Sequence, residues 1–182
     1  MAAGAVLPYP LPKKDAAVGL TNGRSMDSAA IQRHKTAIRR GDFSRPVKCL
    51  LRDGLVGSAI VICNDYEFEL IRQKTGLDED GVLAHTGALI VTRGEQGSTA
   101  RYGTHHVSVP AVPPHSVVDP TGVGDAFRGG LLKGLAMGRD LEVSCRLGSM
   151  AATYALEHLG GSSHSYTWDE FVARYATHFG SL

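Results

Sequence analysis

The residues best suited to chemistry stand together at positions 119–125: Asp119, Pro120, Thr121, Gly122, Val123, Gly124 and Asp125. Glycines let a backbone approach a ligand closely. Amides at the start of a helix point outward with the positive end of the helix dipole behind them, so such a turn suits an anion. Asp125 is poorly suited to holding phosphate but well suited to taking a proton from a hydroxyl that attacks one. Two common nucleotide motifs do not fit. A P-loop needs Lys followed by Ser or Thr after its last glycine, whereas Gly129 and Gly130 lead into Leu131, Leu132, Lys133 and Gly134. A dinucleotide fingerprint needs a small residue where Phe127 stands. The plain alternative is a helix capped by Asp125 or Thr121, with glycines that serve only the turn.

Such a turn must be carried by regular elements. Val117 and Val118 before it are β-branched, and Ala126, Phe127, Gly130, Leu131 and Leu135 after it recur at helical spacing, which predicts strand, turn, helix. Ala88 to Thr92 predicts a buried strand that stops at the glycine loop Arg93 to Gly97. Ser98 to Tyr102 and His105 to Val109 predict a hairpin that turns at Gly103. Ala59 to Cys63 predicts another buried strand, which ends at Asn64, a residue able to cap a helix carrying Phe68, Leu70 and Ile71. Ligand crevices of open parallel sheets lie beyond the carboxyl ends of the strands, so these three polar loops are expected to converge.

Asn64-x-x-Glu67, Thr92-x-Gly94-x-x-Gly97 and Asp119-x-Thr121-Gly122-x-Gly124-Asp125 together resemble, in order and spacing, the carboxyl half of the ribokinase-like (PfkB) carbohydrate and nucleoside kinases. With the tail Thr167 to Phe171, they look most like the bacterial adenosine kinase-like or sugar kinase-like members. The resemblance implies an α/β fold, a three-layer ribokinase-like (Rossmann-like) sheet flanked by helices, here incomplete. It implies ATP and Mg²⁺ as cofactors, and as acceptor a hydroxyl of a sugar or nucleoside, with an adenosine-like acceptor favoured. Asp125 would be the general base, and the amides of Gly122, Val123 and Gly124 an anion hole for the transferring phosphoryl group. Asn64 and Glu67 would lie near hydrated magnesium and the nucleotide phosphates, with Glu67 acting through water. Thr92, Gly94, Gly97 and Thr121 would lie along the nucleotide. Arg93 would either touch its phosphates or face solvent, and Asp119 would order the turn. An adenine pocket is implied beside the helical stripe Val143, Leu147, Met150, Ala151, Tyr154, Ala155 and His158. Ser149, Thr153 and the loop around Gly161 are candidate neighbours of the base, against the competing reading of ordinary packing.

A chain of 182 residues with 43% hydrophobic content can bury a core. Cys49, Cys63 and Cys145 have no close pairing and follow no secretory start, which predicts reduced thiols and a cytoplasmic protein. No apolar stretch approaches the roughly 20 residues that span a bilayer, so no membrane partner is expected. A formal charge of +1 offers no global attraction to nucleic acid. His105 and His106 would point to opposite faces of a strand, and His158 and His164 lack matching ligands, which argues against zinc.

Residues 1–57 read differently from residues 58–182, the expected carboxyl-terminal nucleotide-binding part of the kinase domain. Ala2 to Leu20 is rich in Ala and Pro, and Arg33 to Arg52 is strongly basic, which predicts an extended or weakly helical, solvated segment. The resemblance places the acceptor pocket and the early strands in an amino half that this segment does not match. The expectation is therefore a truncated product, or a sheet edge covered by a partner chain, including a second copy. Two other functions compete with the kinase: a non-catalytic fragment that binds nucleotide, and a dinucleotide-binding oxidoreductase. Phe127 and the lack of an acidic strand-end residue about 20 positions on disfavour the second.

Overall fold

The computed structural model describes residues 47–182, so the expected extended segment lies outside the described residues up to position 46. Positions 47–55 of that segment form a helix, α1 (Val47–Leu55). It is followed by β1 (Val61–Asn64), α2 (Asp65–Thr75), α3 (Glu79–Leu83) and β2 (Leu89–Thr92). A 3₁₀ turn (Gly94–Gln96) leads into β3 (Ser98–Tyr102), β4 (His105–Val109), α4 (Val123–Ala136), α5 (Leu141–Leu156) and α6 (Trp168–Phe179). The strands form one sheet in the order β1-β2-β3-β4. A helical crossover connects β1 to β2, as parallel strands require, whereas Gly103 at φ +53° turns β3 directly into β4. The class is α/β, with a mixed sheet. No described helix is long and apolar enough to cross a membrane.

The described chain divides into two compact units, residues 47–91 with 101–105 and residues 92–100 with 106–182. In the first, Leu55, Cys63, Val82, Leu89 and Val91 form the core, with Phe68 and Ile71 packed against it. β2 is buried as expected from its apolar run, but β1 buries only Cys63, because it stands at the end of the sheet order. Arg101 pairs with Glu79 and Asp80 at the start of α3.

In the second unit α4 and α5 lie close enough that glycine is needed on both. A Cβ at Gly130 would stand 2.5 Å from the Leu147 carbonyl oxygen, and one at Gly148 would stand 2.8 Å from that of Phe127. Behind this contact Val112, Leu147, Met150, Ala151, Phe171 and Tyr175 form the core. The segment after β4 is not a strand, and α5 side chains satisfy its backbone. The Ser149 hydroxyl donates to the Pro110 carbonyl and accepts from the Val112 amide, while the Thr153 hydroxyl donates to the Val112 carbonyl. Both side chains are buried in this task.

The strand expected at Val117 and Val118 does not form. The amides of Val118 and Asp119 both donate to the Leu156 carbonyl at the end of α5, at 2.9 and 3.2 Å. A helix terminus with unpaired carbonyls takes the segment that β-propensity alone would send to the sheet. Val117 and Val118 are left exposed.

Glu157 staples the same region. Its carboxylate receives both guanidinium nitrogens of Arg174 at 2.6 and 2.8 Å and the His115 amide at 2.6 Å. The side chains keep only 13% and 9% exposure, for Arg174 and Glu157 respectively. Arg174 and the His115 amide hold the Glu157 carboxyl below its usual range despite partial burial. Arg174→Met should therefore destabilise the unit by about 2 kcal/mol, since a half-buried carboxylate loses its partner. Because the folded value is depressed, this contribution is present above the ordinary glutamate value of 4.5 and is lost as pH falls through the lower folded value. Urea denaturation of both proteins at pH 7 and at pH 3 should show the difference shrinking at the acid end. Cys145 gives a second check, because burial pushes its thiol up to about 12. It should resist alkylation at pH 8 until the protein unfolds.

Candidate functional site

The turn before α4 is shaped by Gly122, which caps the helix in the left-handed conformation at φ +79° and provides no side-chain bond to the helix amides. Neither Asp125 nor Thr121 caps the helix, as the plain alternative required. The Val123 amide makes only a long 3.4 Å contact with the Pro120 carbonyl. The start of α4 therefore keeps donors facing outward, with the helix dipole behind them. Beside Gly124 the space is open, the nearest atom to an added Cβ being Arg128 Nη1 at 3.6 Å.

Asp119 orders this turn, as expected. One carboxylate oxygen accepts from the Thr121 amide and the other from the Gly160 amide, each at 2.8 Å. Hydrogen bonds from the Thr121 hydroxyl and amide, then from the Gly160 amide, hold its carboxyl below the usual aspartate range. Asp125 sits in the first turn of α4 with its side chain 83% exposed, 2.9 Å from Arg128 Nη1. Arg128 was not singled out by the sequence, although its place three residues after Asp125 on a helix is the spacing at which opposite charges meet.

The loop after β2 lies in the same compact unit as this turn. Gly94 has φ +55° and open space around it, which suits close approach by a ligand. Gly97 has a structural reason of its own: at φ +84°, a Cβ there would stand 2.1 Å from the Val109 carbonyl oxygen. Arg93 donates to the Thr99 hydroxyl at 2.6 Å and is thereby held along its own loop. Thr92 ends β2, half-buried.

Asn64 and Glu67 belong to the other unit and face each other there. The Asn64 side chain accepts from the Glu67 amide at 2.7 Å, and Glu67 Oε2 accepts from the Asn64 amide at 2.9 Å, a complete capping box on α2. Both residues remain exposed.

Among the described residues no group of three or more His, Cys, Asp and Glu gathers in a way that could hold a metal ion. Magnesium does not require such a cage, because it keeps several waters and binds through one or two carboxylates and substrate phosphates. The exposed Glu67 carboxylate, with one oxygen engaged in the cap, fits that role through water. The uncapped start of α4 fits the phosphates of a nucleotide. The loop around Gly161 is not simply a neighbour of a base: Gly161 lies against Gly122, where an added Cβ would stand 2.5 Å from the Gly161 Cα.

Known proteins resemble this chain in sequence and in fold. The family described as pfkB family carbohydrate kinase matches residues 22–168, a match that begins upstream of the motifs described above. The nucleoside kinase of Methanocaldococcus jannaschii is 31% identical over 137 residues, 75% of this chain and 45% of that protein. The cytidine kinase of Thermococcus kodakarensis is 38% identical over 116 residues, 61% of this chain and 41% of that protein. Among solved structures, Burkholderia thailandensis nucleoside kinase in complex with inosine superposes with a TM-score of 0.71 at 41% identity, over 73% of this chain and 44% of that one. The same kinase has also been solved as an ADP-inosine complex. The fold is therefore ribokinase-like, and the chain spans less than half the length of these relatives.

Two neighbouring glycines separate a folding role from a ligand role. Gly122→Ala should cost about 1–3 kcal/mol in thermal or urea unfolding, from left-handed strain and the clash with Gly161. Gly124→Ala should change stability by less than about 1 kcal/mol, because alanine favours a helix, yet lower affinity for ATP measured by calorimetry.

Proposed function

Because the chain belongs to the pfkB family of carbohydrate kinases, we propose that it carries the nucleotide-binding and proton-accepting part of an ATP-dependent phosphotransferase whose acceptor is a nucleoside hydroxyl. The observation that carries this reading is the start of α4: a helix with no side-chain cap, opened by Gly122 and followed at once by the exposed carboxylate of Asp125. In the proposed step a carboxylate oxygen of Asp125 accepts the proton of the acceptor hydroxyl. The freed oxygen bonds to the γ-phosphorus of ATP while the bond to the bridging oxygen breaks and ADP leaves. The amides of Gly122, Val123 and Gly124 receive the charge that builds on the transferring group. Thr92, Gly94, Gly97 and Thr121 would border the nucleotide. Magnesium, when bound, would neutralise charge on the phosphates of ATP.

The relatives favour a nucleoside over a simple sugar, being named nucleoside and cytidine kinases, one of them solved with inosine. An adenosine-like acceptor is the finer form of the same reading. The free, buried thiol of Cys145 supports a reducing, cytoplasmic setting. A second reading is nucleotide binding without transfer. Calorimetry with ATP and Mg²⁺, run beside a transfer assay on adenosine, inosine, cytidine and ribose, separates the two. Wherever transfer is measurable, Asp125→Asn should reduce turnover by at least about a hundredfold with nucleotide affinity within about threefold of the parent protein. Turnover near the parent value would remove Asp125 from the role of base.

A further inference from the structure

The start of α4 holds a cation where a helix disfavours one. The Arg128 guanidinium folds back toward the amino end of the helix: Nη1 stands 2.9 Å from Asp125 Oδ1 and 3.6 Å from the place that a Cβ on Gly124 would take. The positive end of the helix dipole opposes a cation there, and the Asp125 carboxylate offsets that opposition. The pair is nevertheless weak. The Arg128 and Asp125 side chains are 41% and 83% exposed, and ion pairs so open to water contribute little. Among the described residues, Asp125 Oδ1 is the hydrogen-bond partner of the guanidinium, and no donor reaches the second carboxylate oxygen. The other cation of α4 is committed elsewhere, since Lys133 Nζ lies over the Trp168 ring, 5.7 Å from its centre.

We propose that Arg128 is a phosphate-binding residue that changes partner: it pairs with Asp125 in the free chain and turns to the phosphates when ATP binds, leaving both carboxylate oxygens open to the acceptor hydroxyl. This inference rests on the phosphoryl-transfer reading above. A polyphosphate held by the amides of Val123 and Gly124 would stand within reach of a guanidinium that already lies beside Gly124. It carries more negative charge than one carboxylate, and it offers the paired oxygens that a guanidinium fork engages two at a time. The exchange therefore runs from a weak partner to a strong one. Its outcome is a base that the nucleotide itself releases, so that Asp125 is unencumbered only once the phosphoryl donor is in place. A lysine could supply the charge but not the fork.

The test uses the full 182-residue chain. By calorimetry, Arg128→Met should weaken Mg²⁺-ATP binding about tenfold, and Arg128→Lys, which keeps the charge and loses the fork, should fall between that variant and the parent. Lys133→Met removes the same charge from the same helix and should leave the affinity within about twofold of the parent. Thermal unfolding of Arg128→Met should match the parent, because the pair it loses is exposed. In the ATP complex of the parent, NMR should show a through-hydrogen-bond coupling between an Arg128 guanidinium nitrogen and phosphorus. Addition of ATP should also shift the Asp125 carboxyl carbon more in the parent than in Arg128→Met. Equal ATP affinity in the parent and Arg128→Met, or equal losses in Arg128→Met and Lys133→Met, would overturn the contact with phosphate. Equal Asp125 shifts in the two chains would overturn the change of partner. A parent chain that binds no Mg²⁺-ATP would sink the phosphoryl-transfer reading and this inference with it, whereas the other adverse results, obtained with a parent that binds, sink the inference alone.

Discussion

The contact between Gly122 and Gly161 is the constraint around which the second unit is organised. Two backbones touch where neither can carry a side chain without displacement, and the helix that starts there has no cap. Capping a helix start with a side chain would contribute about 1 kcal/mol, so leaving it open has a stability cost that folded chains accept mainly where the donors have another use. Asp119 offsets part of the cost from outside the helix. It spends its charge on the turn and on the neighbouring loop, and the helix amides themselves stay open.

The same economy of space runs through the rest of the unit. α4 approaches α5 so closely that Gly130 and Gly148 stand where side chains would strike the opposite backbone. That contact fixes the angle from which α4 presents its first turn. At the other end of α5, Leu156 and Glu157 gather the irregular segment that precedes the turn, and Arg174 on α6 anchors Glu157 in place. Helix, turn and loop therefore form a chain of short contacts that ends at the start of α4. Asp125, by contrast, is exposed and pairs with Arg128 at the surface, which is the freedom a proton acceptor for an incoming hydroxyl needs.

What could be read from the sequence was what depends on near neighbours. The hairpin at Gly103 and the Asn64 cap follow from a few adjacent residues, and the structure contains both. The three spaced motifs pointed to the family because order and spacing survive without knowledge of contacts. Val117 and Val118 misled for the same reason: their β-branched side chains favour a strand, and nothing local announces that the Leu156 carbonyl will claim the backbone. The partners of Ser149 and Thr153 could not be read from the sequence, since their hydroxyls pair with residues 110–112, far away along the chain. Gly161 was invisible as a partner of Gly122, because a contact between residues so distant in sequence leaves no periodicity. Arg128 was within reach, since its helical spacing from Asp125 is local.

The central claim is that the open start of α4 receives the phosphates of a nucleotide. Titrating the ¹⁵N-labelled chain with Mg²⁺-ATP and following backbone amide shifts tests it most directly. The account predicts that the largest saturable shifts fall on Gly122, Val123 and Gly124, with smaller ones on Gly94. Saturable binding whose shifts leave these amides unmoved, or no binding at millimolar ATP, would contradict it.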